Sequence, residues 1–221
     1  MSGQSRELNL DSWGEAHREA YRRAVAHLAE RRPEAVASLV GGCWVADTGE
    51  LHLPFLGQQL RVKWRQGDVL LGGRPAPLAV SIIVLHHLLE STGAEVQGRW
   101  ITFKEISGGS VYYPTYRART IEPLVREFGR CPQRLLPAAV PLGGVELAGV
   151  GRVGVLLQVF PRFPLGIGLW PGDEEVPPSG TILYDVTAPG HLPTEDIVVV
   201  TELVVRKLLQ CGGKGRVGEK R

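Results

Sequence analysis

Between Phe160 and Asp196 the chain gathers carboxylates, a tryptophan and a histidine around closely spaced prolines: FPRFPLGIGLWPGDEEVPPSGTILYDVTAPGHLPTED. Asp173 and Glu174 follow Trp170-Pro-Gly, Asp185 ends an apolar run, and His191 precedes Pro-Thr-Glu195-Asp196. Clustered carboxylates can hold Mg²⁺ or Ca²⁺, or work as a general acid/base pair. A structural duty competes with each role. Glu195 and Asp196 stand where a helix should begin, and acids there are favourable against its dipole. The Asp-Glu-Glu turn can be simply solvated, although Trp170 and Pro171 pin its direction.

A second stretch, Gly98–Tyr113, alternates Trp100, Thr102 and Lys104 with Ile101, Phe103 and Glu105, and Tyr112, Tyr113 and Tyr116 then precede Arg117 and Arg119. Aromatics beside arginines can stack on and pair with a planar anion. They can equally frame a sheet edge and a core corner. Two functional expectations follow. The first is a binding or accessory protein whose pocket takes an anionic small molecule or cofactor, a tetrapyrrole-like or other planar one included. Trp100, Tyr112, Arg117, Arg162 and Trp170 would line it, with Glu105 near the same strand. The second is a metal-assisted hydrolase or transferase built on Asp173, Glu174, Asp185 and His191.

Other chemistries lack their residues. Gly149-Val-Gly-Arg-Val-Gly154 spells G-x-G-x-x-G, but a dinucleotide fingerprint must follow a strand and open a helix. Here a strand-like run follows, so a strand-entry loop is expected. No loop ends in Gly-Lys-Ser/Thr, and no Gly-x-Ser-x-Gly elbow exists. Ser107-Gly-Gly-Ser110 reads as a turn. His86 and His87 lie about 100° apart on a helix, so they cannot easily share a metal. One is expected to be buried and bonded to backbone or a tyrosine, the other to face a pocket. No metal ligand set is assigned, and no catalytic residue or cofactor is identified.

Composition narrows the class. The chain has 221 residues, 43% hydrophobic and 22% charged, with a formal net charge of +2. That is an ordinary globular balance, able to bury a core without staples. Short basic pairs such as Arg22-Arg23 read as solvated helix faces rather than a nucleic-acid stripe. Cys43, Cys131 and Cys211 are odd in number and far apart, which suits free thiols in a reducing compartment. No apolar run is long enough to span a bilayer. A cytoplasmic protein is the expectation, with neither nucleic acid nor membrane as partner.

The elements that must position these residues can be read from periodicity. Ser12–Glu15 fits a capping box, followed by apolar residues at helical spacing from Trp13 to Leu28. A short helix is predicted over Pro33–Leu39. Cys43–Ala46, Glu50–Phe55 and Gln59–Trp64 alternate with period two around short turns and predict an antiparallel meander with one wet face. Pro77–Leu89 is apolar nearly all round and predicts a buried helix, with Gly93 as its stop. Thr120–Gly129 predicts a small helix. Val153–Phe160, Leu165–Trp170 and Thr181–Asp185 predict strands. Glu195–Gln210 predicts a helix with a Thr194 cap, a Glu202–Arg206 pair and Gly212 closing it. Strands and helices do not alternate, so the expected fold is a single α+β domain over 1–211. It would have a largely antiparallel sheet, helices at both termini and a buried central helix. Residues 212–221 would form a disordered basic tail.

Several of these strings, in this order, resemble a prokaryotic protein family catalogued as domain of unknown function 3786. They are Leu85-His-His-Leu-Leu89, Gly98-Arg-Trp-Ile-Thr-Phe-Lys-Glu105 with Gly108-Gly109 and Tyr112, Phe160-Pro-Arg-Phe-Pro-Leu165 and Leu169-Trp-Pro-Gly-Asp-Glu-Glu175. Ile182-Leu-Tyr-Asp185 and His191-Leu-Pro-Thr-Glu-Asp196 complete the set. The resemblance would span about residues 12–210. It implies no activity. It implies members chiefly from anaerobes, some carrying a cysteine-rich iron–sulfur segment that this chain lacks, so a third expectation is a partner-binding module of an anaerobic redox complex. His87 stands where relatives are expected to have an aromatic.

Overall fold

The computed structural model describes residues 14–214. Two helices, α1 (Glu15–Ala29) and α2 (Pro33–Val40), lead into a meander of β1 (Cys43–Val45), β2 (Glu50–Phe55), β3 (Gln58–Lys63), β4 (Asp68–Leu71) and β5 (Arg74–Pro75). Helix α3 (Leu78–Glu90) then crosses to β6 (Trp100–Thr102), and α4 (Gly109–Arg119), α5 (Ile121–Phe128) and α6 (Leu135–Ala139) follow. Strands β7 (Val145–Glu146), β8 (Val153–Phe160), β9 (Phe163–Trp170) and β10 (Ser179–Asp185) complete a second sheet before the long helix α7 (Thr194–Lys214). The strand orders are β1-β2-β3-β4-β5 and β6-β10-β9-β8-β7, every pair antiparallel. The chain is a single α+β domain. Ser12 and Trp13, the expected start of the first capping box, lie outside the described residues.

The period-two pattern of the meander decides its register. Leu51 faces Val62 and Leu53 faces Leu60, all four fully buried, while His52 pairs with Arg61 on the wetter face. The β2–β3 turn is Leu56-Gly57, both with positive φ (46° and 71°). That is the two-residue hairpin geometry whose twist matches the strands. Leu56 tolerates its strained backbone because it is buried, and its N–H donates to the Val159 carbonyl of β8. Gly57 meets the backbone of Gly143, where a Cβ would lie 2.8 Å from the Gly143 nitrogen. Phe55 and Phe160 add a ring contact with centroids 5.2 Å apart, and one continuous core cluster takes in both sheets.

In the second sheet β9 is buried on both faces from Phe163 to Leu169. Phe163, Leu165, Ile167 and Leu169 fill one side. On the other, Gly166 and Gly168 leave room for Leu147 and Val150 of the loop before β8. The G-x-G-x-x-G string is therefore a cover for β9: Arg152 N–H donates to the Leu169 carbonyl, and the chain then enters a strand, as expected.

Helix α7 packs on α3, α5 and α6. It carries Thr201 into a buried hydroxyl chain. Thr201 Oγ1 donates to the Ile197 carbonyl at 2.6 Å, so it can only accept from Tyr184 at 2.7 Å. Tyr184 in turn accepts from Tyr116 at 2.8 Å. All three side chains have 0% exposure, so removing the central hydroxyl strands a donor and an acceptor together. Tyr184→Phe should cost about 1–3 kcal/mol, read from urea unfolding. Tyr116→Phe, which removes only the terminal donor, should cost less.

Two segments depart from the pattern read along the chain. Strand β6 stops at Thr102, because Glu105 turns back onto the Thr102 N–H (2.7 Å) and hydroxyl (2.9 Å) in a capping box. Tyr112, Tyr113 and Tyr116 then lie on α4 rather than along a sheet edge. At the other end, α7 continues past Gly212 to Lys214, so Gly212 belongs to the helix rather than to a tail. It is glycine because Phe128 lies against it: a Cβ would come within 2.6 Å of the ring.

Candidate functional site

The turn and strand ends first singled out are held by structural bonds. Asp185 is fully buried at the end of β10 and accepts four hydrogen bonds, from the N–H groups of Gln97, Gly98 and Thr187 and from the Thr187 hydroxyl, at 2.7–3.2 Å. Burial pushes its carboxyl pKa up, but those bonds outweigh burial and hold it below the usual carboxylate range. His191 is buried too. Its Nε2–H donates to the Ala94 carbonyl (3.0 Å), so Nδ1 is the acceptor for the Ser91 hydroxyl (2.8 Å). Desolvation is the largest influence on this imidazole and lowers its pKa. Asp173 caps its own turn, accepting from the N–H groups of Glu175 (2.9 Å) and Val176 (2.7 Å), while Glu174 is exposed beside it.

The aromatic–arginine set is also dispersed. Arg162 donates to the Leu39 and Gly93 carbonyls and pairs with Glu95 at 2.6 Å, stapling α2 to the segment after α3. Arg117 pairs with Glu122 at 3.7 Å. Trp100 packs at the sheet edge near Gly166, Glu105 serves the capping box, and Trp170 is exposed at the end of β9. Among the described residues, no three His, Cys, Asp or Glu side chains are grouped so as to hold a metal ion. Asp185 and His191 already spend their polar atoms on the protein.

Tyr112 alone of the expected site residues borders the main cavity, a space of about 900 Å³ walled by α3, α4 and α7 with His17 of α1 at its edge. Its apolar wall is Ala79, Val80 and Ile83 from α3 and Val198, Val199 and Leu203 from α7. The i, i+4 spacing that puts Val199 and Leu203 on one face also brings Thr194, Glu195, Glu202 and Arg206 into the lining. Helix α4 supplies Val111 and Tyr112, then Arg119 two turns further on. The position of α4 is fixed at its start. Gly109 lies so close to the Phe103 carbonyl that no Cβ fits, Ser110 Oγ donates to the Lys104 carbonyl (2.8 Å), and Thr194 Oγ1 of α7 donates to Ser107 O (3.1 Å). Thr194 thus ties α7 to the α4 entrance.

The polar end of the cavity is built on Glu202. Its side chain is only 8% exposed, and Arg119 donates to it at 3.4 Å and to Tyr112 Oη at 3.4 Å. Arg206 acts on the same carboxylate at longer range, so the pair expected within α7 gives way to one between α7 and α4. Burial raises the Glu202 pKa despite both guanidiniums. The lining is otherwise mostly apolar. Such a space, with a few convergent polar groups, has the anatomy of a small-molecule site.

The two adjacent histidines divide as expected. His87 is fully buried on α3, stacked on Phe160 with centroids 4.1 Å apart, and its Nδ1–H donates to the His191 carbonyl (3.2 Å). Its Nε2 has no partner among the described residues, and desolvation lowers its pKa to about 3. His86 faces a shallow groove between α1 and α3. It meets Asp196 at 2.6 Å, a bond that is the main reason its pKa is raised.

In the sequence Arg119 stands beside the tyrosines and Glu202–Arg206 reads as a helical pair, but neither pattern places any of the three in a pocket. The signal for the pocket wall lay in α7, where Ile197, Val198, Val199, Val200, Leu203 and Val204 make the apolar surface wider than one packed stripe requires. Such a surplus marks a face that lines something other than the core.

The fold and cavity define a two-sheet antiparallel α+β domain with a helix-walled small-molecule-sized pocket. The chain belongs to the family described as Domain of unknown function (DUF3786), which matches residues 32–207, well over half its length. Helix α1 lies outside the matched region, whereas α3, α4 and the cavity-lining part of α7 lie within it. No curated protein and no solved structure matches the chain. Among the described residues, no helix is long and apolar enough to cross a membrane.

Proposed function

We propose that this protein binds an amphipathic small organic molecule in the cavity between α3, α4 and α7. The observation that carries the reading is the cavity itself: about 900 Å³, apolar on two walls, with Arg119, Glu202 and Arg206 gathered at one end. A space of that size buries most of a drug-sized ligand, and the polar end would fix its orientation. Free Cys43, Cys131 and Cys211 support a reducing compartment, the cytoplasm being the natural one.

The test is binding of the neutral apolar dye N-phenyl-1-naphthylamine, whose fluorescence rises on leaving water. The wild type should enhance it saturably. Val199→Trp, which projects an indole into the cavity, should reduce binding at least about tenfold, corresponding to roughly 1.4 kcal/mol or more. Leu203→Trp should do the same from the next turn. Far-ultraviolet circular dichroism and the thermal midpoint identify the variants that keep the fold. Undiminished dye binding in a folded variant of either kind would contradict the reading.

A further inference from the structure

The charges at the polar end of the cavity do not balance. Arg119 and Arg206 both act on Glu202, and Glu202 is already hydrogen-bonded to Arg119. Arg206 is half-buried and makes no hydrogen bond or ion pair among the described residues. The other acid in the lining, Glu195, stands eleven residues earlier on the same helix. That is roughly 16 Å along the axis, beyond the screening length at physiological salt. Among the described residues, two guanidiniums and one carboxylate therefore leave one positive charge uncompensated at this end, beside the apolar walls. Tyr112 Oη, which accepts from Arg119, keeps its own proton free to donate in the same direction. From Glu202 back to Val198 the α7 wall is apolar, with Val80 and Ile83 bordering the same space.

Resting on the reading that the cavity is a binding site, we infer that its ligand is an elongated organic monoanion. Its anionic group sits between Arg119 and Arg206, and its apolar body lies along α7 against α3. A carboxylate or sulfonate matches the donors present: two guanidinium forks and a phenol, all able to form charge-assisted hydrogen bonds. A neutral amphiphile would leave Arg206 unpaired. A cationic one would have to reach Glu202 past two like charges.

The experiment displaces N-phenyl-1-naphthylamine from the full chain with dodecanoate, dodecanol and dodecylammonium, all below their aggregation limits. Dodecanoate should displace the dye at about tenfold lower concentration than dodecanol or better, as a charge-assisted bond in a partly dry site requires. Arg206→Gln, a substitution of a half-buried side chain, should bring that ratio close to one by weakening dodecanoate, the acid-to-alcohol ratio being the quantity read. Equal displacement by acid and alcohol, preference for the ammonium, or an acid preference that survives Arg206→Gln would each overturn the monoanion assignment while leaving the cavity as a binding site. Dye binding that persists in folded Val199→Trp and Leu203→Trp variants would instead remove the cavity reading on which it rests.

Discussion

At pH 4 the His87→Phe variant should be more stable than the wild type by about 3 kcal/mol, while at pH 7.5 the two should lie within about 1 kcal/mol. Two opposing changes set the neutral-pH result. Phenylalanine keeps the stack on Phe160 and removes a buried nitrogen with no partner, but it gives up the bond to the His191 carbonyl. The acid result follows from linkage. The folded-state pKa of His87 is depressed from 6.5 to about 3, so between those values the unfolded chain binds the proton and the folded chain refuses it. Stability is full above about pH 6.5 and falls as the pH drops toward 3, by as much as roughly 5 kcal/mol. His191, also depressed, adds to the loss in the same direction. His86 has the opposite sign: its folded pKa is raised, so its contribution is complete below about 6.5 and disappears as the pH rises through the raised value. Urea unfolding of both proteins across pH 4–7.5 separates the His87 contribution. Parallel pH curves for wild type and variant would show that His87 is not held neutral.

Asp185→Ala should cost about 2–4 kcal/mol, because it removes the acceptor of four hydrogen bonds, two of them from the buried Thr187. The donors come from two separate segments, Gln97-Gly98 and Thr187, so the carboxylate holds the chain before β6 against the end of β10. Asp185→Asn should recover part of the loss, since one oxygen remains while the amide opposes donors with donors. The acid dependence differs from that of His87. A depressed carboxyl contributes stability that is present above its unfolded pKa, near 4, and is lost as the pH falls through the lower folded value. Denaturant midpoints of the three proteins at pH 7 measure the effect. An Asp185→Ala protein as stable as the wild type would restore this residue as a candidate for ligand chemistry.

The contrast between Asp185 and Glu202 shows what could be read from the chain and what could not. Both are acids in apolar surroundings. Asp185 stood out because it ends a strand within a stretch rich in acids, prolines and aromatics, yet the same density of turns creates the backbone donors that consume it. Asp173 behaves alike, spending its carboxylate on the N–H groups of Glu175 and Val176. Glu202 looked like half of a routine i, i+4 pair, and its burial depends on α4, a helix hidden by Pro114, two glycines and three tyrosines of modest helix propensity. The i, i+4, i+7 spacing of Tyr112, Tyr116 and Arg119 did carry that helix. The strand-like alternation of Trp100–Glu105 masked it, although Thr102-x-x-Glu105 is itself a capping-box pattern. Where burial alone sets periodicity, as in the first three strands of the meander, in α3 and in β8–β10, the pattern predicted the structure, while the short strands β4 and β5 were not predicted. The cavity required knowing which helices meet, and that information is long-range.

Hydrogen exchange of the full chain with and without saturating N-phenyl-1-naphthylamine tests the central claim most directly, because it asks where the ligand sits without altering a residue. Protection should increase in the segments 107–119 and 194–206, with a smaller change over 78–90, while 170–176 stays as it was. Protection gained instead around Trp170–Asp173 and absent from α4 and α7 would contradict the account and return the site to the turn between β9 and β10.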